Sequence, residues 1–222
     1  MLLPELSAAN ACHREDAIRR AVEKALRITL LASLLIGAVF TVFADPLGRL
    51  LYGSAEVGIY LRVLAPLTPI MYTESIVDGM LKGLNQQVSS LKYSLTDSAL
   101  RIVLIVLLVP TRGMGGFLFI MVISNALTSF LNLHRLLTVT HLRLRWGRLL
   151  GLPLFCAVIA SFGATAVVRI LPPFDKFPVA EALIGIAVLC IGYVTLLFLF
   201  KCVSIHEIRL DRRPKKRYDE CR

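Results

Sequence analysis

Residues 30–44 read LLASLLIGAVFTVFA, an apolar run without a single charge. A helix on a soluble core shows one apolar stripe, whereas this run is apolar on every face, so lipid or protein must surround it completely. Crossing the hydrocarbon of a bilayer takes roughly 20 mostly apolar residues. With its flanks the run fills the window 27–44, and similar windows follow at 60–81, 93–109, 116–137, 149–170 and 179–200. The expectation is an all-α integral membrane protein with six transmembrane helices. Composition agrees: 56% of the 222 residues are apolar and the mean hydropathy is +0.71, against about 45–50% apolar residues in ordinary soluble domains.

A net charge of +10 would suit a nucleic-acid partner if it were spread over one face, but it is sorted by loop. Six crossings place Arg14, Arg19, Arg20, Lys24 and Arg27 on one side, with Lys82, Lys92, Arg135, Arg143, Arg145, Arg148 and the basic tail. The other side receives only Arg49, Arg62, Arg112, Arg169 and Lys176. Cytoplasmic loops collect Lys and Arg, so the reading is a multi-pass protein of the cell (cytoplasmic) membrane with both ends cytoplasmic and no nucleic-acid role.

The chain divides by composition at 1–26, 27–145, 146–202 and 203–222. In the first segment Ala17, Ile18, Ala21, Val22, Ala25 and Leu26 recur at helical spacing. Acid precedes base by four residues at Glu15–Arg19, Asp16–Arg20 and Glu23–Arg27, the favourable order on a helix. Two readings stand: an amphipathic helix along the inner membrane surface, or a solvated helical linker. Residues 27–145 hold the first four windows and 146–202 two additional apolar ones. The tail 203–222 is polar and basic, suited to anionic lipid heads.

The charges inside the windows carry the functional question. YTESIVDGMLKGLNQQ, residues 72–87, places Glu74, Asp78 and Lys82 at four-residue steps on one helix face. Asp78 has Lys82 as a local partner, whereas Glu74 needs a proton, water or a cation from another helix. In the third window Asp97 and Arg101 repeat the acid–base step. Either that pair is neutralised and joins helices, or Arg101, Asp97 and Glu74 line one hydrated cavity. In the fourth window Asn125, Thr128, Ser129 and Asn132 share a face, fit for bonds between helices or for contact with a substrate. Pro66 and Pro69 predict a kink in the second window, with Gly79 and Gly83 further along as candidate gating positions.

Catalytic patterns are missing. The sequence offers no nucleophile elbow and no phosphate-cradling glycine loop, and His13, His134, His141 and His206 are scattered. Cys202 and His206 are too few to hold a metal, and the five cysteines suggest no disulfide framework. Neither enzyme nor metal nor cofactor is expected.

The stretch YLRVLAPLTPIMYTESIVDGMLKGLNQQ, residues 60–87, also resembles a known family. A helix of the form Leu-Arg-x-x-x-Pro that ends in Gly-x-Leu-Lys-Gly-Leu-x-x-Gln is similar to the polysaccharide-biosynthesis branch of the multidrug, oligosaccharidyl-lipid and polysaccharide exporter superfamily, in its stage V sporulation protein B type of flippase. LLPELSAA at 2–9 and VPTRGMGGFLFIMVISNALTSFLN at 109–132 resemble it at matching distances. The likeness covers residues 1 to about 145. It implies roughly the C-terminal half of a two-lobe helical bundle whose N-terminal lobe lies elsewhere, in the same full-length chain or a partner chain. It also implies a polyprenyl-pyrophosphate-linked saccharide as substrate, alternating access around a cationic cavity, and a role in cell-wall synthesis during sporulation. The last two windows take the position of a groove for the polyprenyl tail. The cavity candidates are Arg101, Asp97, Glu74, Asp78, Asn125 and Asn132. Two alternatives stay open: a cation-coupled multidrug exporter of the same superfamily, and a non-transporting scaffold acting through the basic tail.

Overall fold

The computed structural model describes residues 2–12, 14–142, 147–170 and 178–200. The tail 203–222, His13 and the Cys202–His206 pair lie outside them. Every element among the described residues is helical. The order is α1 (Leu2–Ala11), α2 (Glu15–Val42), α3 (Ala44–Tyr52), α4 (Ala55–Leu64), a 3₁₀ turn (Ala65–Leu67), α5 (Thr68–Gly83) and α6 (Gln87–Thr140). A π turn (Gly147–Gly151), α7 (Leu152–Ile170) and α8 (Pro178–Leu199) complete it.

Four helical stretches among the described residues are long and apolar enough to cross a membrane: α2, α6, Leu149–Val168 and Ala182–Leu199. This is a membrane protein. Six windows do not become six such helices, for two physical reasons. Pro66 lies in the 3₁₀ turn and Pro69 near the start of α5; each lacks the N–H a continuous helix would use. The second window is therefore divided between α4 and α5, each too short alone. The third and fourth windows fall together within α6, which is 54 residues long.

That length conceals a turn. Gly113, at φ 54 and ψ −137, has left the helical region, in a conformation open almost only to glycine. Along a straight helix Asp97 and Ser124 would lie roughly 40 Å apart, yet their side chains share a hydrogen bond. The element therefore folds back at Gly113 into two arms, residues 87–112 and 114–140.

The chain forms two compact units. The first comprises Met1–Ser33 and Leu67–Leu144. Its apolar core joins Leu6 and Ala9 of α1, Ile18, Val22 and Leu26 of α2, Val77, Met80 and Leu81 of α5, and Leu136 of α6. Helix α2 starts with Glu15 and Asp16 in its first turn, where carboxylates favour the exposed N–H groups. The amphipathic spacing of Ile18, Val22 and Leu26 thus packs against protein. Cys12, which the sequence left unpaired, is disulfide-bonded.

The second unit comprises Leu34–Pro66 and Arg145–Arg222. Phe43, Ala164 and Leu189 are buried at its core. Helices α3 and α4 form a tight hairpin: a Cβ added to Gly48 would meet the Gly58 nitrogen at 2.6 Å. Ser54 caps α4 by accepting the Glu56 N–H at 3.3 Å. The hairpin is bridged by Arg62 and Asp45 at 2.6 Å, both side chains about half exposed.

Candidate polar site between α5 and α6

Three stretches of the first unit supply the site. Helix α5 presents Glu74 and Asp78 one turn apart, while its Thr73, Val77, Met80 and Leu81 are buried. Asp78 is well satisfied: Lys82 Nζ lies 2.6 Å from its Oδ2, and the Ser90 hydroxyl donates to Oδ1.

The first arm of α6 carries Asp97 and Arg101. Arg101 Nη2 donates to Asp97 Oδ2 at 2.9 Å, and only 12% of the Asp97 side chain is exposed against 37% for Arg101. From the second arm comes Ser124, fully buried. Its hydroxyl donates to Asp97 Oδ1 and accepts from Arg101 Nε at 3.1 Å. Carboxylate, guanidinium and hydroxyl thus close a ring in which each makes two bonds. Charged partners strengthen such bonds, and the low dielectric of the surroundings does so again. Glu74 is half-buried within electrostatic reach of Asp97, Arg101 and Asp78. The Arg101 guanidinium is thus bonded to Asp97 and has a second carboxylate, Glu74, within electrostatic range.

The structure separates the other sequence candidates. Asn125 is buried and turns its amide onto its own helix, Nδ2 donating to the Met121 carbonyl at 2.7 Å. Thr128 does likewise with the Ser124 carbonyl. Asn132 is 2% exposed, and its Oδ1 has no hydrogen-bond partner. One turn on, Arg135 donates from Nη2 to Gln86 Oε1 at 2.7 Å, while its Nε is buried and unpartnered. Pro66 is exposed and Pro69 half-buried; Gly79 is half-buried and Gly83 buried near the end of α5. No group of three or more possible metal ligands occurs among the described residues.

Two members escaped the sequence. Ser124 borders the Asn125 stripe, and its spacing of four from Thr128 was the available signal. Ser90 gave none, because its bond to Asp78 depends on how α5 turns into α6.

The MatE family matches residues 6–107. The matched stretch contains Glu74, Asp78, Asp97 and Arg101, while Ser124 lies beyond its end, so the charged ring extends past the matched residues into the second arm. The chain is also 25% identical over 213 residues to Stage V sporulation protein B of Bacillus subtilis (strain 168), across 94% of this chain and 40% of that protein. The resemblance read from residues 60–87 is borne out by these two matches. The chain spans about two fifths of the length of that relative. No solved structure matches it.

Proposed function

We propose that this chain is one lobe of a membrane transporter that moves a lipid-linked oligosaccharide or peptidoglycan precursor across the cytoplasmic membrane by alternating access. The observation that carries this reading is the Asp97–Arg101–Ser124 ring with Glu74 beside it, set among helices otherwise apolar. Buried charges in membrane helices are costly and mark pathways. A pyrophosphate entering the bilayer needs its negative charge neutralised. Arg101 is held by one carboxylate and one hydroxyl, yet over a third of it is exposed, so it can meet such an anion without leaving its ring.

In this reading the chain crosses the membrane six times: α2 with α3, α4 with α5, the two arms of α6, α7 and α8. Each arm of α6 spans about 39 Å at 1.5 Å per residue, near the 40–45 Å of a bilayer with its headgroups. The excess of Lys and Arg puts both ends in the cytoplasm. The match to two fifths of a relative supports a second lobe, in the same full-length chain or a partner chain, that covers the polar edge of α5 and α6. Gly79, Gly83, Pro66 and Pro69 are the positions where α4 and α5 would bend as the lobe moves.

A second reading has its own observation. Two carboxylates, Glu74 and Asp97, act on one Arg101, a balance that suits a coupled cation and hence a multidrug exporter. Flipping of a fluorescent lipid-pyrophosphate saccharide in proteoliposomes separates the readings. Arg101→Ala in the full-length protein is expected to abolish flipping while the protein stays folded. Wild-type flipping in both Arg101→Ala and Glu74→Ala would remove the cavity model. Efflux of cationic dyes lost in Glu74→Gln would favour the exporter.

A further inference from the structure

We propose that the first unit carries a headgroup site for an amine-bearing phospholipid, phosphatidylethanolamine in chemistry. A cleft of about 150 Å³ is lined by Asn10, Glu15, Ile18, Leu84, Val139 and Thr140. Four stretches meet there: the end of α1, the start of α2, the turn after α5 and the last turn of α6. Arg19 closes its edge, Nε donating to the Thr140 carbonyl at 3.1 Å and Nη2 lying 3.3 Å from Glu15 Oε2.

Height and chemistry both favour a lipid head. Leu84 lies two residues beyond Lys82, and Thr140 lies five residues beyond Arg135; such basic residues mark the edge of the hydrocarbon. The cleft therefore opens at headgroup level, with Ile18, Leu84 and Val139 as an apolar floor. Its mouth is dipolar, since Glu15 and Arg19 stand side by side and only loosely paired, with three quarters of the Glu15 side chain exposed. A zwitterion complements such a pair, phosphate toward Arg19 and ammonium toward Glu15. The Asn10 carbonyl and the Glu15 carboxylate accept N–H bonds, which a primary ammonium can donate and a quaternary one cannot. Ethanolamine is thus selected over choline.

The site rests on α5 and α6 crossing the membrane, not on the identity of any transported substrate. The full chain would be reconstituted in nanodiscs of equimolar phosphatidylethanolamine and phosphatidylcholine, released, and its retained lipid counted by native mass spectrometry. Enrichment of the amine lipid by about tenfold is expected, the worth of one charge-assisted hydrogen bond. Glu15→Gln and, independently, Asn10→Leu should bring the two lipids toward parity, while Glu56→Gln, on α4, should leave the enrichment intact. Parity in the wild type, or enrichment unchanged in both variants with native circular dichroism, would overturn the site. In parallel nanodiscs that also hold phosphatidylglycerol, a preference for that lipid that depends on Arg19 alone would overturn it too, replacing a zwitterion site by simple anion attraction. Because the readout is retained lipid, a failed flipping assay leaves this result unaffected.

Discussion

Ser124 is the smallest member of the charged ring and the one whose removal is most informative. Its hydroxyl serves Asp97 and Arg101 together, so Ser124→Ala leaves two charged groups each one bond short. The expected loss is about 1–3 kcal/mol, read as a fall in melting temperature in detergent. Asn132 should behave in the opposite sense. Its Oδ1 is buried without a partner, a state that already costs free energy, so Asn132→Leu is expected to be neutral or stabilising by up to about 1 kcal/mol in the same melt. The sequence groups Asn125 and Asn132 with the charged residues as cavity candidates, with bonding between helices as their other reading. Their types and spacing were legible; whether an amide turns to its own backbone or toward a neighbour was not, because that depends on the facing helix. Glu74, Asp97 and Arg101 were legible for a simpler reason. An ionised group in an apolar window has few places to go, and another such group of the right sign is the cheapest.

Glycine decides the elements. Gly113 adopts φ 54 and ψ −137 with nothing within 4 Å of an added Cβ, so Gly113→Ala meets no neighbour and its effect is purely backbone strain, about 1–3 kcal/mol. Gly115 also has open space around it but lies within the helical arm, where alanine is favoured over glycine by up to about 1 kcal/mol. Melting of the two variants should therefore move in opposite directions. In the second unit a Cβ on Gly58 would come within 2.9 Å of the Asp45 Cα. Gly58→Ala forces α3 and α4 apart, at about 1–3 kcal/mol for the overpacking, and should weaken the Asp45–Arg62 pair. The apolar windows foretold the helices themselves. They could not foretell that the second window divides at Ala65–Leu67, since proline signals a break without fixing its geometry. Nor could they supply the α3–α4 hairpin, which rests on contact between residues without side chains.

At the scale of the whole molecule, the proposed six crossings make a prediction of sidedness. Reporters fused after Asn85 and after His141 should report the cytoplasm, and reporters after Gly53 and after Gly113 the opposite side. A topology with four crossings, counting only the long helices, would change these assignments. The charged ring also bears on how the protein enters the membrane. Asp97 and Arg101 lie on a single arm, one helical turn apart, so neither has to wait for a distant segment to be synthesised. The translation machinery hands over a segment that is already electrically neutral, sparing the nascent chain two penalties of about 2.5–3.5 kcal/mol each. Ser124 arrives later, with the second arm. Biogenesis and later function thus make separate demands on one pair: the carboxylate lets the arginine into the bilayer, and the hydroxyl determines how it is held there.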